Sequence, residues 1–258
     1  MEIEKIGFQP HLTAFDLDGT LAESKQPLLP DMGALVARLM EKLPIAVLSG
    51  GSFAQFQKQF LSGMPEHVAE SRLYIFPTNA AQCHVLVDGG WQKKYDYSFS
   101  DDEKQHVMHV LHDAMTETGF DKPPEKVWGE RIEDRGSQIS FSALGQLAPP
   151  EVKKAWDPTR EKRMPLWKLL VERLPDFQVG LNATTTIDIT RKGIDKAYGI
   201  RQLAEITGIA IADMLYIGDA LWDGGNDSVV KVTGIKTHQV AGPAETAAAI
   251  EEIIAVAP

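Results

Sequence analysis

The sequence predicts an α/β protein in which a parallel-sheet core, made from both ends of the chain, is interrupted by an α+β insertion. Three observations predict it. Short apolar runs end in Gly, Ser or Asp, amphipathic stretches follow them, and the pattern changes between about residues 84 and 186. At 258 residues, 43% hydrophobic and 24% charged, the chain is long enough for a core and a second lobe.

The first core strand is predicted at Leu12 to Phe15, running into Asp16, the second at Ile45 to Leu48, running into Ser49, and a later one at Met214 to Ile217, running into Gly218-Asp219. Each run is short, continuous and flanked by helical patterns, as expected of strands buried on both faces, whose carboxyl ends are where open α/β sheets bind ligands. Ser52 with Gln55 forms a capping box, and Phe53, Phe56 and Phe60 recur behind it at helical spacing. Within the insertion, His84 to Val87 and Ile139 to Phe141 predict strands, and Ser100 with Glu103 caps a long helix ending near Gly119. Pro123-Pro124 and Pro149-Pro150 mark loops, and Trp91, Trp128, Trp156 and Trp167 are expected to pack rather than to offer stacking platforms. After the insertion, Asp195 is placed to cap a helix with Ala197, Ile200, Leu203 and Ala204 on its inner face and Gly208 at its end, and Pro243 opens the last helix.

A net charge of −10 opposes broad affinity for nucleic acid or anionic membrane, so a small-molecule substrate is the better expectation. The single cysteine, Cys83, allows no intrachain disulfide and reads as a buried small apolar residue. Met1-Glu2-Ile3-Glu4-Lys5 has no basic stretch leading into an apolar run, and no window has the apolar length of a membrane span; cytoplasmic residence is the default expectation.

The chemistry is concentrated in Asp16-Leu17-Asp18-Gly19-Thr20. Side chains alternate along an extended chain, so Asp16 and Asp18 are expected on one side, where their repulsion calls for a cation; hard oxygen ligands suit Mg2+. Asp219 can supply a third carboxylate, and Asp227 either binds the ion or orients its ligands. A phosphate in such an acidic cleft needs donors, which Ser49 and Gly50, beside the Ser52 helix, and Lys196, in the first turn of its own helix, can supply. One carboxylate can then attack phosphorus while its neighbour moves a proton. This assigns Asp16 as nucleophile and Asp18 as acid/base, with Asp16, Asp18, Asp219 and Asp227 as the metal set.

These elements in this order resemble the four motifs of the haloacid dehalogenase (HAD) superfamily, carried by Asp16 to Thr20, Ser49, Lys196, and Gly218-Asp219 with Asn226-Asp227. The resemblance covers the whole chain. It implies a HAD-like Rossmannoid three-layer core with an inserted α+β type-II (C2B) cap, the core at 1–83 and 187–258 and the cap at 84–186. Within the IIB branch, Leu48 to Ser52, Gly193 to Tyr198 and the double-glycine stretch Gly218 to Asp227 are most similar to eukaryotic-type phosphomannomutases. That similarity implies a hexose phosphate substrate and dimerisation through the cap. It also implies a cap site in which Arg135, Ser142 and Gly145 lie in the stretch that binds the sugar's distal phosphate, while Thr186 and Asp188 match a pair that contacts sugar hydroxyls.

The chain departs from that pattern where Gln146 and Lys153 stand at positions expected to be arginine. Glutamine has no charge and lysine is a point charge, whereas an arginine fork grips phosphate in bidentate fashion, so the second phosphate site is weakened. A mutase must hold whichever phosphate is not reacting, so the departure tips the expectation toward hydrolysis of a sugar phosphate, with hexose phosphate mutation as the alternative. A non-enzymatic phosphoacceptor would need no cap, and an inactive binding protein would be expected to have lost an aspartate or the lysine. His106, His109 and His112 drift around their helix and do not form a metal site, and nothing in the sequence decides between substrate contact and loop shaping for Trp222 and Asp223.

Overall fold

The computed structural model describes residues 6–66, 72–182 and 184–256. The leader-peptide reading on Met1 to Lys5 falls outside them. In chain order the elements are β1 (Leu12–Asp16), α1 (Pro30–Lys42), β2 (Ile45–Leu48), α2 (Phe53–Gln59), β3 (Leu73–Phe76), β4 (Gln82–Val87), β5 (Gly90–Asp96), α3 (Asp101–Thr118), β6 (Ile132–Asp134), β7 (Ile139–Ser142), α4 (Pro150–Trp156), α5 (Met164–Arg173), β8 (Phe177–Asn182), β9 (Thr186–Arg191), α6 (Lys196–Thr207), β10 (Met214–Gly218), β11 (Lys236–Gln239) and α7 (Pro243–Val256). None of the helices of the described residues is long and apolar enough to cross a membrane.

The chain divides into two compact units. One is formed by the residues up to Tyr95 and from Lys196 onward, the other by Asp96–Asp195. The first unit holds a seven-stranded sheet in the order β11-β10-β1-β2-β3-β4-β5. Its strands from β11 to β3 are parallel, and β4 runs antiparallel to β3. Alternation along each parallel strand divides the side chains between two cores. Phe15, Ile45, Val47, Leu73, Ile75, Leu215 and Ile217 pack with residues of α1, α2 and α7. Leu12, Ala14, Ala46, Leu48, Tyr74, Phe76, Met214 and Tyr216 pack on the opposite face with Ile200 and Leu203 of α6. Three layers result, because each strand is apolar on both faces and each face needs a helical cover.

The boundary between units falls elsewhere than expected. The structure puts the change near residue 96 rather than 84, because β4 and β5 extend the core sheet instead of opening the insertion. At the other end, a boundary at 187 would cut β9 from its own sheet, since β9 pairs along its length with β8.

The second unit has an antiparallel sheet in the order β6-β7-β9-β8. Ile139, Phe141, Ile187, Ile189 and Val179 point to one face and pack against Val107 and Leu111 of α3 and Leu166 and Leu170 of α5. The long helix α3 begins and ends as its sequence predicts. Ser100 Oγ accepts from the Glu103 N–H and the Glu103 carboxylate accepts from the Ser100 N–H in a capping box, and Gly119 closes the helix in the left-handed conformation at φ 78°.

Candidate active site

Asp16 is the last residue of β1, where the parallel strand ends and the chain turns. Leu17 anchors that turn: its carbonyl accepts from the N–H groups of Leu21 and Ala22, and its side chain is buried beside Phe15. The extended chain expected to run through Asp18 therefore stops at Asp16. Asp18 instead sits in a loop where its Oδ1 accepts from the Lys25 N–H at 2.6 Å and from Gln59 Nε2 at 2.9 Å.

Asp16 shares a face of its strand with Leu12 and Ala14, and that face carries Tyr216 of β10 and the start of α6. The alternation thus delivers Lys196 and Tyr216 to the Asp16 carboxylate. Lys196 Nζ lies 2.5 Å from Asp16 Oδ1, 2.6 Å from Asp227 Oδ1 and 3.3 Å from the Tyr216 hydroxyl, and the lysine is 2% exposed. Tyr216 donates to Asp227 Oδ1 at 2.8 Å, and Asp227 Oδ2 accepts from the Ala220 N–H at 3.1 Å.

Asp219 follows β10. Its backbone N–H donates to Thr20 Oγ1 at 3.0 Å, and the Thr20 carbonyl accepts from Thr246 Oγ1 of α7 at 2.8 Å, which ties the Asp16 loop to the Asp219 loop. Two glycines make the crowding of acids sterically possible. A Cβ on Gly19, which has φ 89°, would lie 2.6 Å from Asp219 Oδ2, and one on Gly218 would lie 2.6 Å from Asp227 Oδ2.

Asp16, Asp219 and Asp227 each present a ligand oxygen within 4.8 Å of the others. The Asp18 carboxylate, committed to Lys25 and Gln59, is outside that group, which corrects the expectation that Asp16 and Asp18 side chains together form the ion's seat. Burial pushes the Asp16 carboxyl well above the ordinary range, Lys196 opposes that, and Asp227 and Asp219 add repulsion. Burial and the adjacent Asp227 push Asp219 up to about 6. Burial alone would lower the Lys196 pKa, but Asp16 and Asp227 outweigh it and hold the amine above its ordinary value. Burial opposes ionisation of Asp18 too, yet Lys25 and Gln59 prevail and hold that carboxyl below its usual value. Three carboxylates face one ammonium, so their ionised forms leave two negative charges, which the donor set and its charge fit to one divalent cation.

Ser49 follows β2 and is 2% exposed, with its Oγ accepting from the Gly51 N–H at 3.1 Å. The expected capping box forms at α2: Gln55 N–H donates to Ser52 Oγ, and Ser52 N–H donates to Gln55 Oε1. Beside Ser49, Thr78, Asn79 and Ala80 all adopt positive φ, and the N–H groups of Thr78 and Asn79 donate to the Gly51 and Ser49 carbonyls. Tight backbone bonding thus fixes the Ser49-Gly50-Gly51 turn from outside.

In the second unit, the sheet face opposite the apolar core is polar. Register pairs Ser140 with Asp188 and Ser142 with Thr186. Asp188 Oδ1 accepts from Ser140 Oγ at 2.6 Å and its Oδ2 from Asn182 Nδ2 at 2.7 Å. Gln146 joins this network: Nε2 donates to Ser140 Oγ at 3.4 Å, Oε1 accepts from Arg135 at 3.2 Å, and its carbonyl accepts from Lys153 Nζ at 2.9 Å. Arg135 also donates to Glu133 at 2.7 Å. The structure therefore brings Arg135, Gln146, Lys153 and Asp188 together. Ser142 Oγ donates to the Gly145 carbonyl and lies 3.4 Å from Thr185 Oγ1, and the Thr186 carbonyl is held by Arg163, a fully buried arginine paired with Asp157 at 2.8 Å.

Sequence reading missed Ser140, Asn182 and Glu133, whose roles arise from strand register, and Gln59, Lys25 and Tyr216 around the acids. Only Tyr216, a hydroxyl inside an otherwise apolar strand, carried a local signal. The histidines of α3 do not converge, with His109 bonded to Asp113 and His106 against Phe177. Trp222 is half exposed beside Asp223 in the loop after Asp219.

A three-layer core with an aspartate at the tip of its central strand, an inserted α+β unit and a lysine-bridged acidic group defines a phosphoryl-transfer enzyme of the HAD superfamily. The model of the eukaryotic phosphomannomutase family matches residues 32–256, and the chain belongs to that family. It is 25% identical over 244 residues to a phosphomannomutase of Triticum aestivum, covering 91% of this chain and 92% of the relative. With the phosphomannomutase of Schizosaccharomyces pombe the identity is 24% over 257 residues, covering 97% of each. Among solved structures, the C-terminally truncated IMP-nucleotidase of Plasmodium falciparum superposes with a TM-score of 0.70 at 16% identity, over 96% of this chain and 72% of that one. SMU.1108c of Streptococcus mutans UA159 does so with a TM-score of 0.64 at 14% identity, over 96% and 100%. At these identities the structural likeness bears on fold alone.

Proposed function

We propose that the chain is a hexose phosphomutase that moves a phosphoryl group between the 1- and 6-positions of a sugar phosphate through a phosphoaspartate on Asp16. The observation that carries this reading is the family match, which runs through the inserted unit as well as the core. It favours the mutase over the hydrolysis to which Gln146 tilted the sequence.

In the first half-reaction an Asp16 carboxylate oxygen attacks phosphorus, the bond from phosphorus to the ester oxygen breaks, and the leaving oxygen takes a proton from Asp18. In the second, an incoming sugar hydroxyl gives its proton to Asp18 and attacks phosphorus, and the acyl phosphate bond to Asp16 breaks. Lys25 and Gln59 favour the ionised form of Asp18, the form left by the first half-reaction and the one that accepts the proton when a sugar hydroxyl attacks the phosphoaspartate. Lys196, Ser49 and Gly50 are assigned to the phosphoryl oxygens. Magnesium, held by Asp16, Asp219 and Asp227, would supply the positive charge that a dianionic phosphoryl group needs among carboxylates. Arg135 and Lys153 are the cap cations for the distal phosphate, with Gln146, Asp188, Ser142 and Thr186 serving the sugar.

Hydrolysis remains a second reading on one observation: Gln146 adds no charge, and its amide is already engaged by Arg135 and Ser140. Phosphorus NMR decides between them, with the protein, Mg2+ and mannose or glucose 1-phosphate, run with and without the matching 1,6-bisphosphate. Accumulation of 6-phosphate dependent on bisphosphate supports the mutase. Release of inorganic phosphate alone would replace it with a phosphatase.

A further inference from the structure

We propose that Tyr216 is a positioning residue whose hydroxyl, donating to Asp227 and facing the ammonium of Lys196, fixes the direction in which Lys196 presents its remaining N–H to Asp16. This rests on the phosphoryl-transfer reading of the site. A lysine ammonium has three donors and no preferred fork, so its direction is set by its acceptors. In this site Asp227 Oδ1 at 2.6 Å and the Tyr216 oxygen at 3.3 Å anchor two of them, and Asp16 Oδ1 at 2.5 Å receives the third. When a phosphoryl group arrives, only the Asp16 contact has to be exchanged, while the two anchors stay in place.

The tyrosine is suited to this task by its place. It is fully buried on β10, in the sheet next to β1, with its ring in the apolar core and its oxygen at the acidic group. Its proton is committed to Asp227 at 2.8 Å, which leaves the oxygen free to accept from lysine. Asp227 in turn accepts from Lys196, Tyr216 and the Ala220 N–H, which fixes its orientation and leaves it room for a further bond.

The variant Tyr216→Phe removes one oxygen and keeps the ring. Two measurements are made on the full chain. Steady-state kinetics should give a fall in kcat of about tenfold, the size of one lost hydrogen bond, with KM and Tm nearly unchanged. Nitrogen-15 NMR of the Lys196 ammonium, recorded with no substrate and no metal, should give a slowly exchanging signal in the wild type and a shifted, faster-exchanging one in the variant. That signal reads the anchor whatever the sugar turns out to be, so a wrong substrate assignment cannot imitate failure. An unchanged Lys196 signal would overturn the proposal, as would a kcat that falls only in step with Tm.

Discussion

Lys196, the first residue of α6, places its ammonium 2.5 Å from the Oδ1 of Asp16, the last residue of β1. The two are 180 positions apart in the chain, and each stands at an element end where backbone geometry fixes its direction. The same ammonium pairs with Asp227, so one cation serves two buried carboxylates.

Replacing Lys196 with Met should therefore harm both activity and stability. Loss of a preorganised charge at the reacting group is worth about 10²- to 10³-fold in kcat. Leaving Asp16 and Asp227 buried without their partner should cost about 3 kcal/mol of unfolding free energy at neutral pH. The stability loss should shrink in acid, where the carboxylates can take protons, and shrink again with added Mg2+. Urea titrations at both pH values check this, and equal losses at each would contradict it.

Asp219 gives a pH dependence with a definite sign. Its carboxyl is pushed up to about 6 in the fold, against about 4 in an unfolded chain. A raised carboxyl pKa favours the folded state when protonated, so this contribution is full below about pH 4 and is lost as pH rises through 6. A divalent cation needs the ionised form. Calorimetric titration with Mg2+ should find weaker binding and more proton release at about pH 5 than at about pH 7.5. Equal affinity at the two would remove Asp219 from the metal set.

Gln59 is predicted to tune Asp18. Its amide donates to the charged form of the carboxylate, so Gln59→Leu should raise the Asp18 pKa. The acidic limb of the kcat/KM profile should move to higher pH, with kcat down about tenfold. A limb that stays in place would mean that Asp18 is not the group it reports.

The sequence foretold the parts whose signals are local. Strands β1, β2 and β10 are apolar runs that end in the acids and serine of the site, and both capping boxes formed where Ser52 and Ser100 put them. What escaped depends on distant pairings. Strand β5 has an exposed, polar pattern, so nothing in it announced that it would extend the core sheet and shift the boundary of the insertion. Strand alternation puts Asp18 beside Asp16, but the chain turns at Leu17, and the partners Asp18 finds include Gln59, 41 residues away. In the second unit, Ser140 meets Asp188 only through the register of β7 with β9. In the sequence Gln146 shows only as a missing charge, whereas in the fold its amide links Arg135 to that pair.

In the proposed reaction Asp16 carries the phosphoryl group. Brief reaction of the protein with Mg2+ and a phosphorus-32-labelled hexose 1,6-bisphosphate, followed by acid quench, proteolysis and peptide mass spectrometry, tests it directly. An acid-stable, hydroxylamine-labile label is expected on Asp16, absent from Asp16→Asn. A label on Asp18 or any other residue, or turnover that persists in Asp16→Asn, would contradict it.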